Sequence, residues 1–264
     1  MEHVNIDLKF SIANWADLEG TQTKFYKDGF WYKIDTLGCE GLAEELSSVL
    51  LSCSNIKEYV SYTRCEINDK KGCKSYSFLE DGDHFISIQK LYKNYTGKDI
   101  SDKIREFNNC IDRYNYILDF VKKNTNLDIT EYLQNTFALD LLILNPDRHF
   151  GNLGIILTKN NEFKIAPIFD NGQGLFQNFQ ITPPYLSDEE KIENLSAATI
   201  SGSFEEQVRV AGNSLKINYK QLFNKLSNYP ESIAKRCLYN QLKQYEKIFS
   251  IDYNQKEHNY DYEK

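Results

Sequence analysis

The sequence predicts an α+β chain in two parts, a small strand-rich region followed by a larger helical one. Three observations carry that reading. Apolar residues alternate with polar ones over the first third, they recur at helical spacing from about residue 101, and a short hairpin pattern interrupts the helical part at residues 143–172. No repeat and no Pro- or Ser-rich linker separates the two parts, so they are expected to touch directly.

The first strand is read in LKFSIANW, where Leu8, Phe10 and Ile12 alternate with polar neighbours. ADLEGTQTK follows as a polar loop with one glycine, Gly20. KFYKDGFWYKID reads as a hairpin because Asp28-Gly29 supplies the positive φ angles of a tight primed turn. In EGLAEELSSVLLSC, Leu42, Leu46, Val49, Leu50 and Cys53 fall on one helical face. Residues 58–68 and 74–79 read as further strands. DKIREFNNCIDRYNYILDFVKKN and ITEYLQNTFALDLLIL are helical, and Pro146 stands just past the second. Residues 173–203 read as loop, and roughly 204–212 and 218–249 as helices. The expected domains are a strand-rich lobe over 1–80, a helical lobe over 81–253 and a polar tail over 254–264.

Composition narrows the function classes. With 264 residues, 41% hydrophobic and 14% aromatic, the chain can bury a sizeable core and is not a disordered polypeptide. No apolar run approaches the roughly 18–20 residues that span a bilayer, and MEHVNIDLKF lacks a basic-then-apolar leader pattern. The expectation is a soluble, cytoplasmic protein without a membrane partner. The net charge of −7 and scattered lysines argue against a duplex-binding surface, so no nucleic-acid partner is expected. The six cysteines form no C-x-x-C pair and have no His at zinc spacing, which reads as reduced core thiols.

The segment ILNPDRHFGNLGIILTKNNEFKIAPIFDNG concentrates the chemistry. A helix ending at Asn145-Pro146 projects Asp147 into a loop, and Asn152 follows five residues on. A hairpin turning at Lys159–Glu162 then returns the chain so that Asp170 stands beside that loop, with Gly172 permitting a sharp bend. Two carboxylates and an amide oxygen suit Mg²⁺, a hard cation that takes its remaining ligands from phosphates and water. A carboxylate left free of the metal can orient a hydroxyl nucleophile. These are the parts that phosphoryl transfer needs.

NPDRHFGNLG followed by APIFDNG resembles the catalytic loop and metal-binding segment of the HipA-like serine/threonine kinases, most strongly over residues 130–176. The resemblance implies a bilobal protein-kinase-like fold, ATP and Mg²⁺ as cofactors, and a protein substrate. It makes Asp147 the catalytic aspartate and gives Asn152 and Asp170 to the metal. The spacing of Asp147 to Asn152 also matches H-R-D-x-x-x-x-N of ordinary kinases. Lys33, on a strand, becomes the lysine for the ATP phosphates, and Glu44 its partner, with Glu40 and Glu45 as the alternatives. Gly20, Thr21, Gln22 and Thr23 occupy the place of a phosphate-covering loop whose amides can cradle a phosphate. Where ordinary kinases carry a lysine two residues after the catalytic aspartate, this chain has His149, so His149 or Arg148 must supply positive charge near the nucleotide. Asp140 is expected to brace the loop or to cap locally. Gly174 replaces a serine frequent in the family pattern.

The family resemblance further implies self-phosphorylation at Thr23 or Thr21, a toxin-type or regulatory role, and an antitoxin or regulatory partner. The chain resembles the compact, kinase-core-only members. Two rival readings keep the site: a phosphoinositide or small-molecule kinase, and a nucleotide-binding pseudokinase.

Overall fold

In a computed structural model, residues 1–7 and 22–251 are described. The expected strand over residues 8–15, Gly20, Thr21 and the polar tail lie outside them. The first part is a five-stranded sheet carrying one helix. β2 (Lys24–Lys27) and β3 (Phe30–Ile34) form a hairpin whose turn residues Asp28 and Gly29 have φ of 53° and 82°, as a primed turn requires. β3 pairs with β5 (Lys70–Tyr76), β5 with β4 (Tyr62–Ile67), and β1 (Glu2–Val4) joins β4 in parallel at the edge. The strands expected at 58–68 and 74–79 are therefore displaced. Asn68 and Asp69 take φ of 49° and 63° and make a second tight turn, without the glycine that marks the first.

α1 (Glu40–Leu51) packs against β4 and β5, and its buried face is wider than the apolar stripe read from the sequence. Leu42 and Val49 are only half-buried, whereas Glu40, Glu44, Ser47 and Ser48 are buried beside Leu46 and Leu50. Gly41 explains the close approach: a Cβ there would stand 2.7 Å from the Gly72 carbonyl. A helix seated this tightly buries polar side chains, which must then find partners inside.

The second part is mainly helical. β6 (His84–Ser87), β7 (Gly154–Leu157) and β8 (Phe163–Ile165) form a small antiparallel sheet in that order. β6 was not expected, because HFIS is too short to show an alternation. Helices begin earlier than residue 101, with α2 (Ile88–Thr96) capped by Ser87 and ended by left-handed Gly97. α3 (Ile100–Arg105) and α4 (Cys110–Thr125) divide the next expected helix, since Asn109 caps α4 through the Asp112 N–H at 2.8 Å. α5 (Thr130–Ile143) is buried on nearly every side. The stretch 173–203 contains α6 (Asp188–Glu193) and is followed by α7 (Phe204–Ala211). The expected helix over 218–249 is three: α8 (Tyr219–Leu226), α9 (Ile233–Gln244) and α10 (Glu246–Phe249), with Pro230 in the first break and Ser232 capping α9. One apolar core runs from α1 through α5 to α9 and holds both parts together. Among the described residues no helix is long and apolar enough to cross a membrane.

Candidate active site

α5 ends abruptly because Leu144 adopts φ of 50°, a conformation costly for a branched side chain and found where tertiary structure imposes it. The chain then folds on itself. Asp147 N–H donates to Asn145 Oδ1 (3.1 Å), and Asn152 Nδ2 donates to the Asp147 carbonyl (3.0 Å). Asp147 and His149 lie at the surface of this loop, each side chain 45% exposed, with His149 Nε2 4.0 Å from Asp147 Oδ1. The Gly151 N–H donates to His149 Nδ1, so a neutral ring carries its proton on Nε2, toward Asp147.

Arg148 points the other way. It is 1% exposed, and its Nε and Nη2 contact the Asp140 carboxylate at 3.0–3.2 Å. Nη1 donates to the Phe169 carbonyl (2.5 Å) and Nη2 to Asn171 Oδ1 (2.6 Å). One guanidinium thus joins α5, the loop and the segment bearing Asp170. Arg148 is therefore withdrawn from the position of a nucleotide-facing charge, leaving His149 as the exposed one of the two. Asp140 braces the loop, since it also accepts from Asn145 Nδ2 (3.2 Å). Burial raises the Asp140 carboxyl, opposed by the Arg148 charge.

The sharp bend falls at Asp170 itself, with φ of 60°, and not at Gly172. Gly172 serves close approach: a Cβ there would meet Glu40 Cβ at 3.1 Å. Asp170 Oδ1 lies 2.6 Å from Lys33 Nζ, and Lys33 donates to Glu44 Oε1 at 2.8 Å. Glu44 Oε2 accepts from the Asn171 N–H at 2.8 Å. The other two glutamates are occupied elsewhere. Glu40 accepts from the N–H groups of Thr36, Leu37 and Gly38 at 2.6–3.1 Å, and Glu45 pairs with Arg64 at 2.6 Å.

Burial is the largest influence on all three charges of the Lys33 cluster, and the cluster itself decides the outcome. Burial acts to lower Lys33, but Asp170 and Glu44 outweigh it and hold the ammonium charged well above its usual range. Burial acts to raise Asp170, but Lys33 and Lys24 outweigh it and keep that carboxyl well below its usual range. Glu44 is raised, by burial first and by Asp170, against the pull of Lys33. Burial also raises Asp147, opposed by His149.

Two contributors lie outside the sequence expectations. Lys24 stands opposite Lys33 in the β2–β3 register, and its charge acts on Asp170 and Asp147. Counting back from the Asp28-Gly29 turn pairs 24 with 33, so the signal was present. Tyr62, buried, places its hydroxyl 3.5 Å from both Lys33 Nζ and Asp170 N, which no local pattern announces. Of the loop residues, Gln22 Nε2 donates to the Ile34 carbonyl (3.3 Å), and Thr23 is exposed, its carbonyl accepting from Ile34 N–H (3.0 Å).

The donors fit a hard divalent cation. Asp170 is ionised, and Asn152, its Nδ2 spent on Asp147, keeps Oδ1 free of hydrogen bonds among the described residues. No group of three or more His, Cys, Asp or Glu that could hold a metal occurs among the described residues, so the remaining ligands would be phosphate and water oxygens.

The fold has a counterpart among solved structures. No family model matches the sequence. The fold is the bilobal, protein-kinase-like α+β fold: the crystal structure of the Helicobacter pylori proinflammatory kinase CtkA superimposes with a TM-score of 0.61, covering 87% of this chain and 89% of that one at 15% identity. In sequence, 100 residues, 37% of this chain, are 32% identical to the serine/threonine-protein kinase CtkA of H. pylori strain J99, and they span 29% of that protein's length. The likeness read from the motifs is thus to HipA-like kinases at low identity. A Shewanella oneidensis HipA, solved with HipB and operator DNA, aligns over 86% of this chain and 64% of that chain at a TM-score of 0.45 and 12% identity, a distance at which nothing further is drawn.

Proposed function

We propose that the protein is a serine/threonine-protein kinase that transfers the γ-phosphoryl group of ATP to a protein hydroxyl. The observation that carries this reading is the convergence of Lys33, Glu44 and Asp170 within hydrogen-bond distance, although 137 positions separate Lys33 from Asp170. A lone buried lysine needs one counter-ion, whereas this one has two, and one of them is the carboxylate that fits a metal.

The geometry supports the following roles. Asp147, half-exposed at the loop tip, orients the acceptor hydroxyl and receives its proton. Its raised proton affinity suits that task. The acceptor oxygen forms a bond to the γ-phosphorus as the bond to the bridging oxygen breaks, and ADP leaves with that electron pair. Lys33, kept charged and held by Glu44, steadies the nucleotide phosphates, Lys24 adds positive charge nearby, and His149 offers its Nε2 N–H to the nucleotide. Asn152 and Asp170 would hold Mg²⁺, which when bound would neutralise charge on the phosphate oxygens. Gly20, Thr21, Gln22 and Thr23 cover the phosphates, and Thr23 or Thr21 is a site of self-phosphorylation. By resemblance, a toxin-type or regulatory role with a neutralising protein partner is included in the proposal.

Incubation with labelled ATP, Mg²⁺ and cell lysate, followed by phosphosite mapping, tests the reading. Label on serine or threonine supports it, and label confined to a parallel lipid extract transfers the assignment to a lipid kinase. A wild-type chain that binds nucleotide but labels no acceptor returns the pseudokinase reading.

A further inference from the structure

Tyr62 takes no part in the proposed phosphoryl transfer, yet it touches two members of the site. It opens β4, is 5% exposed, and belongs with Val60 and Cys73 to a small apolar cluster against which Phe169 packs. Its backbone is tied to α1: the Tyr62 N–H donates to Ser48 Oγ (2.9 Å), and Ser48 Oγ donates to the Glu44 carbonyl (2.8 Å). Its side chain reaches the charges that Glu44 serves. The phenol oxygen stands 3.5 Å from Lys33 Nζ and 3.5 Å from Asp170 N, and Lys33 Nζ lies 5.0 Å from the ring centroid. One residue thus meets the lysine, the bend at Asp170 and the turn of α1 that bears Glu44.

The donor count gives these contacts a purpose. An ammonium has three N–H groups to place, and Lys33 Nζ has three oxygen neighbours, Asp170 at 2.6 Å, Glu44 at 2.8 Å and Tyr62 at 3.5 Å. The two carboxylates draw the charge and leave the phenol at long range. In the proposed role the Asp170 carboxylate turns to a cation and a nucleotide phosphate takes its place on Lys33. Glu44 alone would let the ammonium swing during that exchange. Tyr62 supplies a second fixed contact, through its hydroxyl and through the ring face, which attracts a cation within about 6 Å of the centroid. Burial, with Glu44 adding and Lys33 opposing, holds the phenol proton on well above its usual range, so the oxygen is neutral. A neutral acceptor holds an ammonium without repelling phosphate, as a third carboxylate would. The same oxygen accepts from the Asp170 N–H, at a residue whose φ of 60° surrounding contacts must maintain.

We propose that Tyr62 is a positioning residue: it holds Lys33 Nζ in place and pins the Asp170 backbone while the Asp170 carboxylate exchanges the lysine for a divalent cation. The proposal rests on the kinase reading above and adds a residue to it. Its signature is a dependence on metal. Without a cation Asp170 stays on Lys33 and the phenol is a spare partner, so the hydroxyl matters to nucleotide binding only when the metal is present.

Tyr62→Phe keeps the ring and removes only the oxygen. The full chain is titrated with a fluorescent ATP analogue in Mg²⁺ and in EDTA. In Mg²⁺ the variant should bind about tenfold more weakly than wild type, the scale of a lost hydrogen bond to a charged group, and in EDTA the two should agree within about twofold. In transfer from labelled ATP, KM for Mg²⁺·ATP should rise by about the same tenfold with kcat nearly unchanged, because the contact is made in ground and transition states alike. Equal weakening with and without Mg²⁺ marks a purely structural role and overturns the proposal. A second arm needs no substitution: in the wild-type chain the Asp170 amide should stay protected from hydrogen exchange when Mg²⁺ and ATP are added, and loss of that protection overturns the pinning. Mg²⁺-dependent binding that Tyr62→Phe leaves untouched overturns the proposal alone. Wild-type nucleotide binding that ignores Mg²⁺ overturns the kinase reading and the proposal together.

Discussion

Lys33 Nζ stands 2.6 Å from Asp170 Oδ1 and 2.8 Å from Glu44 Oε1, so a single buried ammonium serves two carboxylates. The ammonium helps hold the Asp170 carboxyl well below its usual range, and in the proposed role Lys33 would keep Glu44 as a partner when Asp170 turned to a cation. Mg²⁺ and ATP should therefore stabilise the chain together more than either does alone. Binding to the native state contributes RT ln(1 + [L]/Kd), about 2.7 kcal/mol at a hundredfold excess over Kd. In differential scanning fluorimetry, Asp170→Ala should abolish the dependence of the ATP shift on Mg²⁺. A metal-dependent shift that survives the substitution would remove Asp170 from the metal site.

Asp147 is predicted to act on the acceptor rather than on nucleotide binding. Asp147→Asn preserves shape and removes the proton acceptor, so phosphoryl transfer should fall by about 10²–10⁴-fold with ATP affinity nearly unchanged. Single-turnover transfer and nucleotide titration separate the two effects. Wild-type rates in the variant would end the assignment.

The Arg148–Asp140 pair is buried on both sides, at 1% and 0% side-chain exposure. Removing one partner strands the other in a medium that cannot solvate it. Asp140→Ala should cost about 3–5 kcal/mol in urea unfolding. Because Arg148 also holds Phe169 and Asn171, the substitution should loosen the Asp170 segment and weaken Mg²⁺·ATP binding. Stability within about 0.5 kcal/mol of wild type would contradict the clamp.

Asp35 joins β3 to α1 by accepting from Gly41 N–H at 2.7 Å. Burial raises its carboxyl from 3.8 to about 6, with Glu40 adding to the rise and the Gly41 N–H, Lys71 and Arg64 opposing it. Between those two values the folded chain holds a proton that the unfolded chain releases. Its contribution to stability therefore grows as pH falls from about 7 toward 4, and ionisation above 6 is a cost. Asp35→Asn keeps the acceptor oxygen, so it should be more stable than wild type at pH 8 and lose that advantage as pH falls to 4. Equilibrium unfolding at several pH values measures this, and a pH-independent difference would exclude Asp35 as its source.

Self-phosphorylation is expected at Thr23 or Thr21. Thr23 is exposed at the start of β2, beside Lys24, whose charge acts on the cleft. A phosphate adds about −1.5 to −2 charges at neutral pH. It would compete with nucleotide for Lys24 and Lys33 and should lower transfer. Intact-mass analysis after incubation with Mg²⁺ and ATP should show one phosphate, lost in Thr21→Ala/Thr23→Ala. A phosphate mapped elsewhere would discard these sites.

The features legible in the sequence are those produced by local chemistry. Asp28-Gly29 turns the β2–β3 hairpin because only residues tolerant of positive φ close so tight a turn, and its register sets Lys24 against Lys33. The order Asp147, Asn152, hairpin, Asp170 is likewise written in consecutive residues. Tertiary structure alone decided which of Glu40, Glu44 and Glu45 meets Lys33. All three lie within two turns of one helix, and the sheet pressed against Gly41 determines which faces inward. It also turned Arg148 inward, toward an aspartate eight residues away and a backbone carbonyl twenty-one away, and it moved the bend from Gly172 to Asp170. A buried charge goes where its counter-charges are. That is a property of distant segments meeting, which no window of sequence contains.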